Sequence, residues 1–177
     1  MSKQLTLKNG AFISNQTIGI KGLQSWLGGL MLHGKESRAR SRFLRMIDPR
    51  LVEFEKERIA LIEENAEKGK ETGNPILIYR DAEGNIQETE DKAKGGEYKI
   101  ADKEKFTKEI QEFFAEDFII DVTPSNREDI YLVRDIVLNT QEEFSGAMAA
   151  RYDEWCDAFE NIGEATEEPK PEAAPAA

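Results

Sequence analysis

The run Lys35-Glu36-Ser37-Arg38-Ala39-Arg40-Ser41-Arg42-Phe43-Leu44-Arg45 concentrates cationic side chains at a spacing that suits binding. At 100° per residue, Lys35, Arg38, Arg42 and Arg45 fall within an arc of about 80° on a helix. Phe43, Leu44 and Ile47 lie on the other side, with Arg40 among them. Such a stripe can grip phosphates, RNA or an acidic protein surface. It can equally pair with the chain's own acids: the first fifty residues carry nine Lys/Arg and two acids, whereas 102–177 carry seven Lys/Arg and twenty acids. Both readings stand at this level. No aromatic residue interleaves on the basic arc, as stacking of single-stranded bases would want.

Arg40 has a narrower choice. On an apolar face its guanidinium must reach water or a partner, since an unpaired buried charge is too costly. A structural bridge from Arg40 to a carboxylate on a C-terminal helix is expected. Arg40→Met would then be tolerated or mildly stabilising, and Arg40→Ala would lower the melting temperature.

Catalytic chemistry has little to draw on. The chain has one histidine, His33, and one cysteine, Cys156. Nothing brings the two together, so neither a Ser/His nor a Cys/His dyad is indicated, and zinc sites built from several His or Cys are excluded within one chain. His33 reads as a polar residue at a helix end, and Cys156 as an inert, half-buried thiol. Residues 69–72 lack the preceding glycine of a phosphate loop, and Lys70 is followed by Glu71 rather than Ser or Thr. The glycine of 81–85 falls too early for a calcium loop. Glu53, Glu55, Glu57, Glu63, Glu64 and Glu67 decorate a helix and read as its solvated face. The chain reads as non-enzymatic, with no cofactor and no metal. A second candidate surface is acidic: Asp153, Glu154 and Asp157 on the last helix could occupy a basic groove meant for nucleic acid.

The elements that must carry these residues follow from periodicity. Residues 4–8 alternate as a strand before Asn9-Gly10, a turn pair that suggests a hairpin with 11–14. Leu23, Leu27, Leu30 and Met31 mark a helix ended by Gly34. Ser37 caps a helix through Ile47, and Asp48-Pro49 starts another that runs to about Lys68. Residues 76–79, 98–100 and 118–122 are strand-like, 81–85 is a turn, and 87–96 reads as a loop. Asp102 caps a helix with Phe106, Ile110, Phe113 and Phe114 on one face. Capping boxes at 125–128 and 140–143 open two more helices. The second of these carries Phe144, Met148, Tyr152, Trp155 and Phe159, a stripe read as core rather than interface. Residues 164–177, rich in Pro, Ala and Glu, read as a disordered tail.

No apolar stretch approaches the roughly 20 residues that span a bilayer. The N-terminus lacks the order of a signal peptide. A lone cysteine suits a reducing compartment. No membrane partner is expected, and the location expected is the cytoplasm.

The order "LHGKESRARSRFL", "EFEKERIALIEENAEK", "ETGNP", "EYKIADKEKFTKEIQEFFAEDFIIDV" and "YDEWCDAF" resembles a widespread family of small, uncharacterised proteins of tailed phages and prophages of Gram-positive bacteria. The resemblance covers roughly residues 20–160 and is carried by the Ser-Arg-Ala-Arg segment at 37–40 and by Tyr98, Phe106 and Glu109. It implies a phage origin and no catalytic residues. By analogy of origin, it points to an inhibitor or adaptor acting on host or defence machinery, or to a virion part.

Together these readings predict one α+β, mainly helical domain over 1–163. A long, kinked helical rod would pack on C-terminal helices beside a small antiparallel sheet. The function expected is binding of a protein partner, with nucleic-acid binding through the basic helix as the alternative. A homo-oligomer would form through the rod or the aromatic stripe.

Overall fold

The computed structural model describes residues 3–164. The fold is α+β and mainly helical, and the chain forms two compact units. The first holds residues 3–47 together with 117–164; the second is Asp48–Glu116. One helix, Gly34–Asn65, supplies residues to both. No helix among the described residues is long and apolar enough to cross a membrane.

The first unit is organised around a strand whose alternation decides which side is buried. In β1 (Lys3–Lys8) Leu5 and Leu7 point inward, while Thr6 and Lys8 stay exposed. It pairs antiparallel with β5 (Asp117–Val122), placing Leu5 opposite Ile120 and Leu7 opposite Phe118. On the outer face Gln4 donates to Asp121 at 2.9 Å, and Lys8 pairs with Asp117. A two-residue strand, β6 (Gly163–Glu164), completes the sheet in the order β5-β1-β6.

The hairpin expected at Asn9-Gly10 does not form. Residues Asn9–Phe12 make a 3₁₀ turn that drives Phe12 onto Phe118, with ring centroids 4.4 Å apart. Burial of that ring outweighs the local turn signal. Of the tail expected over 164–177, only Glu164 falls among the described residues, where its backbone lies opposite Lys3.

Helix α1 (Leu23–Gly29) stops at Leu30 rather than at Gly34. Gly28 and Gly29 weaken its end, and Gly34, at φ 55°, instead opens the next helix, α2 (Gly34–Asn65). That helix is continuous where two were expected, with Pro49 inside it. The proline leaves the Arg45 carbonyl without its i+4 donor, and a helix otherwise rich in Leu, Glu, Lys and Arg tolerates the gap.

Two further helices, α4 (Arg127–Leu138) and α5 (Gly146–Glu160), close the first unit. Its core joins Trp26 to Trp155 at 5.3 Å and Phe43 to Phe159 at 6.2 Å, over fully buried Ile130, Val133 and Val137. Trp155 and Phe159 are core, as their stripe suggested, while Phe144, Met148 and Tyr152 are half-buried.

Neither capping box holds. The first helix takes Asn126 as its cap residue, and the Asn126 side chain serves Thr123 N and Asp121 O instead. The second starts only at Gly146, and Glu142 accepts the Trp26 indole N–H at 2.7 Å. Buried indoles usually find an acceptor, and Glu142 serves as that acceptor from the non-helical segment before α5.

In the second unit a separate sheet, ordered β3-β2-β4, joins β2 (Leu77–Arg80), β3 (Ile86–Thr89) and β4 (Glu97–Tyr98), all antiparallel. Asp81 makes the β2–β3 turn by accepting from Glu83 N and Asn85 N, at 3.1 and 2.8 Å. Residues 118–122, expected in this sheet, belong to the other one, and the strand β3 falls where a loop was expected. Helix α3 (Lys103–Ala115) is capped by Asp102, which accepts from Lys105 N at 3.0 Å.

The end of α2 is tied down by polar contacts. Asn65 donates to Leu61 O and to Glu109, at 3.0 and 2.7 Å. Tyr98 donates to Glu63 at 2.6 Å, and Lys92 pairs with the same carboxylate. Hydrophobic burial is sparse here: of the second unit's apolar side chains, only Phe54, Ala66 and Leu77 are buried among the described residues.

Gly22 sits where a Cβ would lie 2.2 Å from the Phe12 carbonyl oxygen, whereas Gly28 faces open space. Gly22→Ala should therefore lower stability by about 1–3 kcal/mol, and Gly28→Ala should raise it by about 0.5–1 kcal/mol. Urea unfolding of the two variants beside the parent checks both signs.

Candidate functional site

The basic segment lies on the first part of α2. Ala39, Phe43 and Ile47 bury one face, which leaves Lys35, Arg38, Arg42 and Arg45 exposed on the other. Two of the four meet carboxylates in the first turn of α4. Lys35 Nζ lies 2.7 Å from Glu128. Arg42 grips Asp129 with two parallel hydrogen bonds, Nε to Oδ2 at 2.6 Å and Nη2 to Oδ1. Acids at a helix N-terminus are favoured by the helix dipole, so Glu128 and Asp129 serve α4 and the stripe together. Arg38 and Arg45 make no ion pair among the described residues.

The Arg42 guanidinium holds the Asp129 carboxyl below the usual carboxylate range, with burial working the other way. The same pair raises Arg42, again through the hydrogen bonds first.

Beside these acids α4 presents an aromatic feature that sequence reading missed. The guanidinium carbons of Arg127 and Arg134 sit 5.5 and 5.9 Å from the Tyr131 ring centroid. Their i, i+4, i+7 spacing was visible in the chain, but an Arg-Tyr-Arg face reads like any polar helix surface until its neighbours are placed.

Among the described residues Arg40 does not find a carboxylate. Its Nη1 donates to the Leu30 carbonyl at 2.6 Å and, more weakly, to the Leu27 carbonyl at 3.4 Å. The side chain closes the end of α1, where Leu27 O also accepts the Leu30 N–H at 3.3 Å and Leu30 O lies beyond the helical ladder. The expected bridge is thus replaced by a cap, because α1 ends earlier than its apolar spacing suggested.

Asp153, Glu154 and Asp157 are exposed on α5. Glu154 and Asp157 share one wall of a cleft of about 330 Å³ whose other wall includes Thr6, Leu7 and Lys8 of β1. Asp153 does not line it. Glu154 also approaches Arg151 at 3.5 Å. Among the described residues, no ion pair links the basic stripe to these three acids.

The remaining chemistry is modest. His33 is exposed in the link between α1 and α2. Burial pushes the Cys156 thiol up, so it stays protonated near neutrality. Burial likewise pushes the Tyr152 hydroxyl up to about 12, and that hydroxyl donates to Val137 O at 2.7 Å. Among the described residues no group of three or more His, Cys, Asp or Glu is placed to hold a metal ion.

The second unit contains a groove of about 620 Å³ between α2 and α3. Its carboxylates lie on helix surfaces rather than in a closed pocket: the Glu57, Glu109 and Glu112 side chains are 51%, 32% and 67% exposed.

No family model, no curated protein and no solved structure matches this chain.

Two predictions follow from these contacts. Because Arg40 serves carbonyl oxygens, Arg40→Met and Arg40→Ala should both destabilise, each by about 1–2 kcal/mol; denaturant midpoints of the pair decide between a cap and a carboxylate bridge. Asp129 contributes stability that is present above its unfolded pKa and lost as pH falls through its lower folded value. Melting temperature should fall as pH drops below about 4, and Asp129→Asn should start lower at pH 7 but lose less over that interval.

Proposed function

We propose that this chain is a phage-encoded, non-enzymatic accessory protein that acts by binding a protein partner with a basic surface. The observation that carries this reading is the distribution of charge. Lys35 and Arg42, half of the basic stripe, are engaged by Glu128 and Asp129. The second unit, by contrast, carries nineteen acids against twelve Lys/Arg. A surface so weighted repels nucleic acid and attracts proteins that bind it. The phage origin rests on the resemblance at 37–40, Tyr98, Phe106 and Glu109, and an inhibitor of host or defence machinery is the form such a protein would take.

One feature favours a second reading, binding of nucleic acid. Among the described residues Arg38 and Arg45 make no ion pair, and Arg127, Tyr131 and Arg134 supply the cation-flanked aromatic ring that the basic arc itself lacks.

Capture on tagged full chain from infected host lysate separates the two. The proposal expects a stoichiometric protein that survives nuclease and is released by salt; its loss when Asp153, Glu154 and Asp157 become Lys would put the surface on α5, and its retention would put it on the acids of the second unit. Recovery that collapses with nuclease, and with Lys35, Arg38, Arg42 and Arg45 changed to Glu, overturns it in favour of nucleic acid. Recovery of the chain in purified particles would instead mark a virion component.

A further inference from the structure

Helix α3 is amphipathic, with Phe106, Ile110, Phe113 and Phe114 on one side, yet it has no fully buried side chain. Phe113 stacks on Phe54, with centroids 5.3 Å apart and planes at 4°, and still remains half-exposed. Beside it Leu61 of α2 is also half-exposed, and with Ala60 the two form the apolar floor of the groove.

The walls of that groove repeat one pattern. Along α2, Glu57 and Glu64 flank Leu61; along α3, Glu109 and Glu116 flank Phe113, with Glu112 between them. Each wall thus sets glutamates at i and i+7 around an apolar residue at i+4. Seven residues of helix rise about 10 Å, so each pair of carboxylates brackets one central apolar contact. Arg50 stands at the Glu57 end and approaches that carboxylate at 3.9 Å. Glu109 is engaged by Lys105 and Asn65, and Glu112 lies 3.9 Å from Lys108. The Arg50 and Lys contacts are exposed ones that an incoming cation can supplement, whereas the Asn65–Glu109 bond is part-buried.

We propose that this groove docks a basic amphipathic helix of a partner protein. The bound face would carry Lys or Arg at i and i+7, with Leu-like side chains at i+3 and i+4 between them. The occupant is set by charge complementarity. A second copy seated face to face would bring the same glutamates against these, and its cationic helix at 35–47 has Ala39, Phe43 and Ile47 buried in its own core and so has no apolar face to offer the floor; nucleic acid would be repelled, whereas a cationic amphipathic helix matches both the rim and the floor. The inference rests on the reading of the chain as a protein-binding molecule and names the surface and the ligand chemistry.

The test uses full-length chain and a dye-labelled peptide of about 20 residues, Lys and Leu in helical 3–4 spacing, read by fluorescence anisotropy. A scrambled peptide of the same composition and a Glu/Leu counterpart serve as controls. The proposal expects the ordered peptide to bind and both controls to bind at least tenfold more weakly. Affinity should fall with salt, and Glu64→Lys with Glu112→Lys should weaken it roughly tenfold or more without changing the melting temperature. Leu61→Ala, checked for folding in the same way, should also weaken it.

Equal binding of ordered and scrambled peptides overturns the proposal, since it would show charge alone at work. So does binding that ignores the Glu64 and Glu112 reversals. If the peptide is instead lost on reversing Asp153, Glu154 and Asp157, the groove assignment fails while the protein-binding reading survives on α5. If no peptide binds, the groove assignment falls, and lysate capture decides the broader reading by itself.

Discussion

The first unit depends on one ladder, the pairing of β1 with β5. It joins residues far apart in the chain, Lys8 and Asp117 being 109 positions from one another. Closing a flexible loop of that length costs roughly 4 kcal/mol beyond the constant term. What offsets the cost is the inward row of Leu5, Leu7, Phe118 and Ile120, with Phe12 stacked on Phe118. The whole second unit lies within that loop, so forming Asp48–Glu116 first would shorten the chain left to close. A substitution in the inward row therefore acts on more than its own cavity, because the ladder is where the two chain segments of the first unit are hydrogen-bonded into one sheet.

Charge is arranged by the same economy of position. Glu128 and Asp129 occupy the first turn of α4, where carboxylates suit the helix dipole, and from there they neutralise Lys35 and Arg42. One pair of residues thus answers two electrostatic demands. The acids of the second unit have no such concentration of cations against them. Its glutamates meet mostly short-range Lys and Arg neighbours on their own helices, such as Arg58 with Glu55 and Lys105 with Glu109. Pairs of that kind add little stability and leave the surface available to an outside cation.

Local chemistry was legible in the sequence where nothing distant competed with it. Asp102 caps α3 as its position suggested, and Phe43 and Ile47 of α2 and Trp155 and Phe159 of α5 are buried as their periodicity suggested. What sequence could not show was partner choice. Residues 118–122 read as a strand but pair with the N-terminus rather than with 76–79, since register and pairing are set by contacts across more than a hundred residues. Glu142 looked like part of a helix start and became the acceptor of a distant indole. The strand 86–89 escaped notice because both its faces are largely exposed, so no alternation marks it. Of the binding features, the cationic arc was plain from its spacing, and so was the polarity of the chain. The Arg42–Asp129 grip and the cap formed by Arg40 were not, because each depends on where another helix begins or ends. The glutamates of the α2–α3 groove were spelled out at 57, 64, 109 and 116, but only apposition of the two helices turns a repeated spacing into a surface.

The placement of the two tryptophans has an optical consequence. Trp26 and Trp155 are the only indoles in the chain, and they lie against each other in the core of the first unit. Indole emission therefore reports on that core, while Tyr79 and Tyr98 are the only phenols of the second unit. An unfolding curve followed at tryptophan wavelengths tracks the melting of one half of the molecule. Circular dichroism in the amide region sees the helices of both, so any gap between the two curves measures how independently the halves come apart.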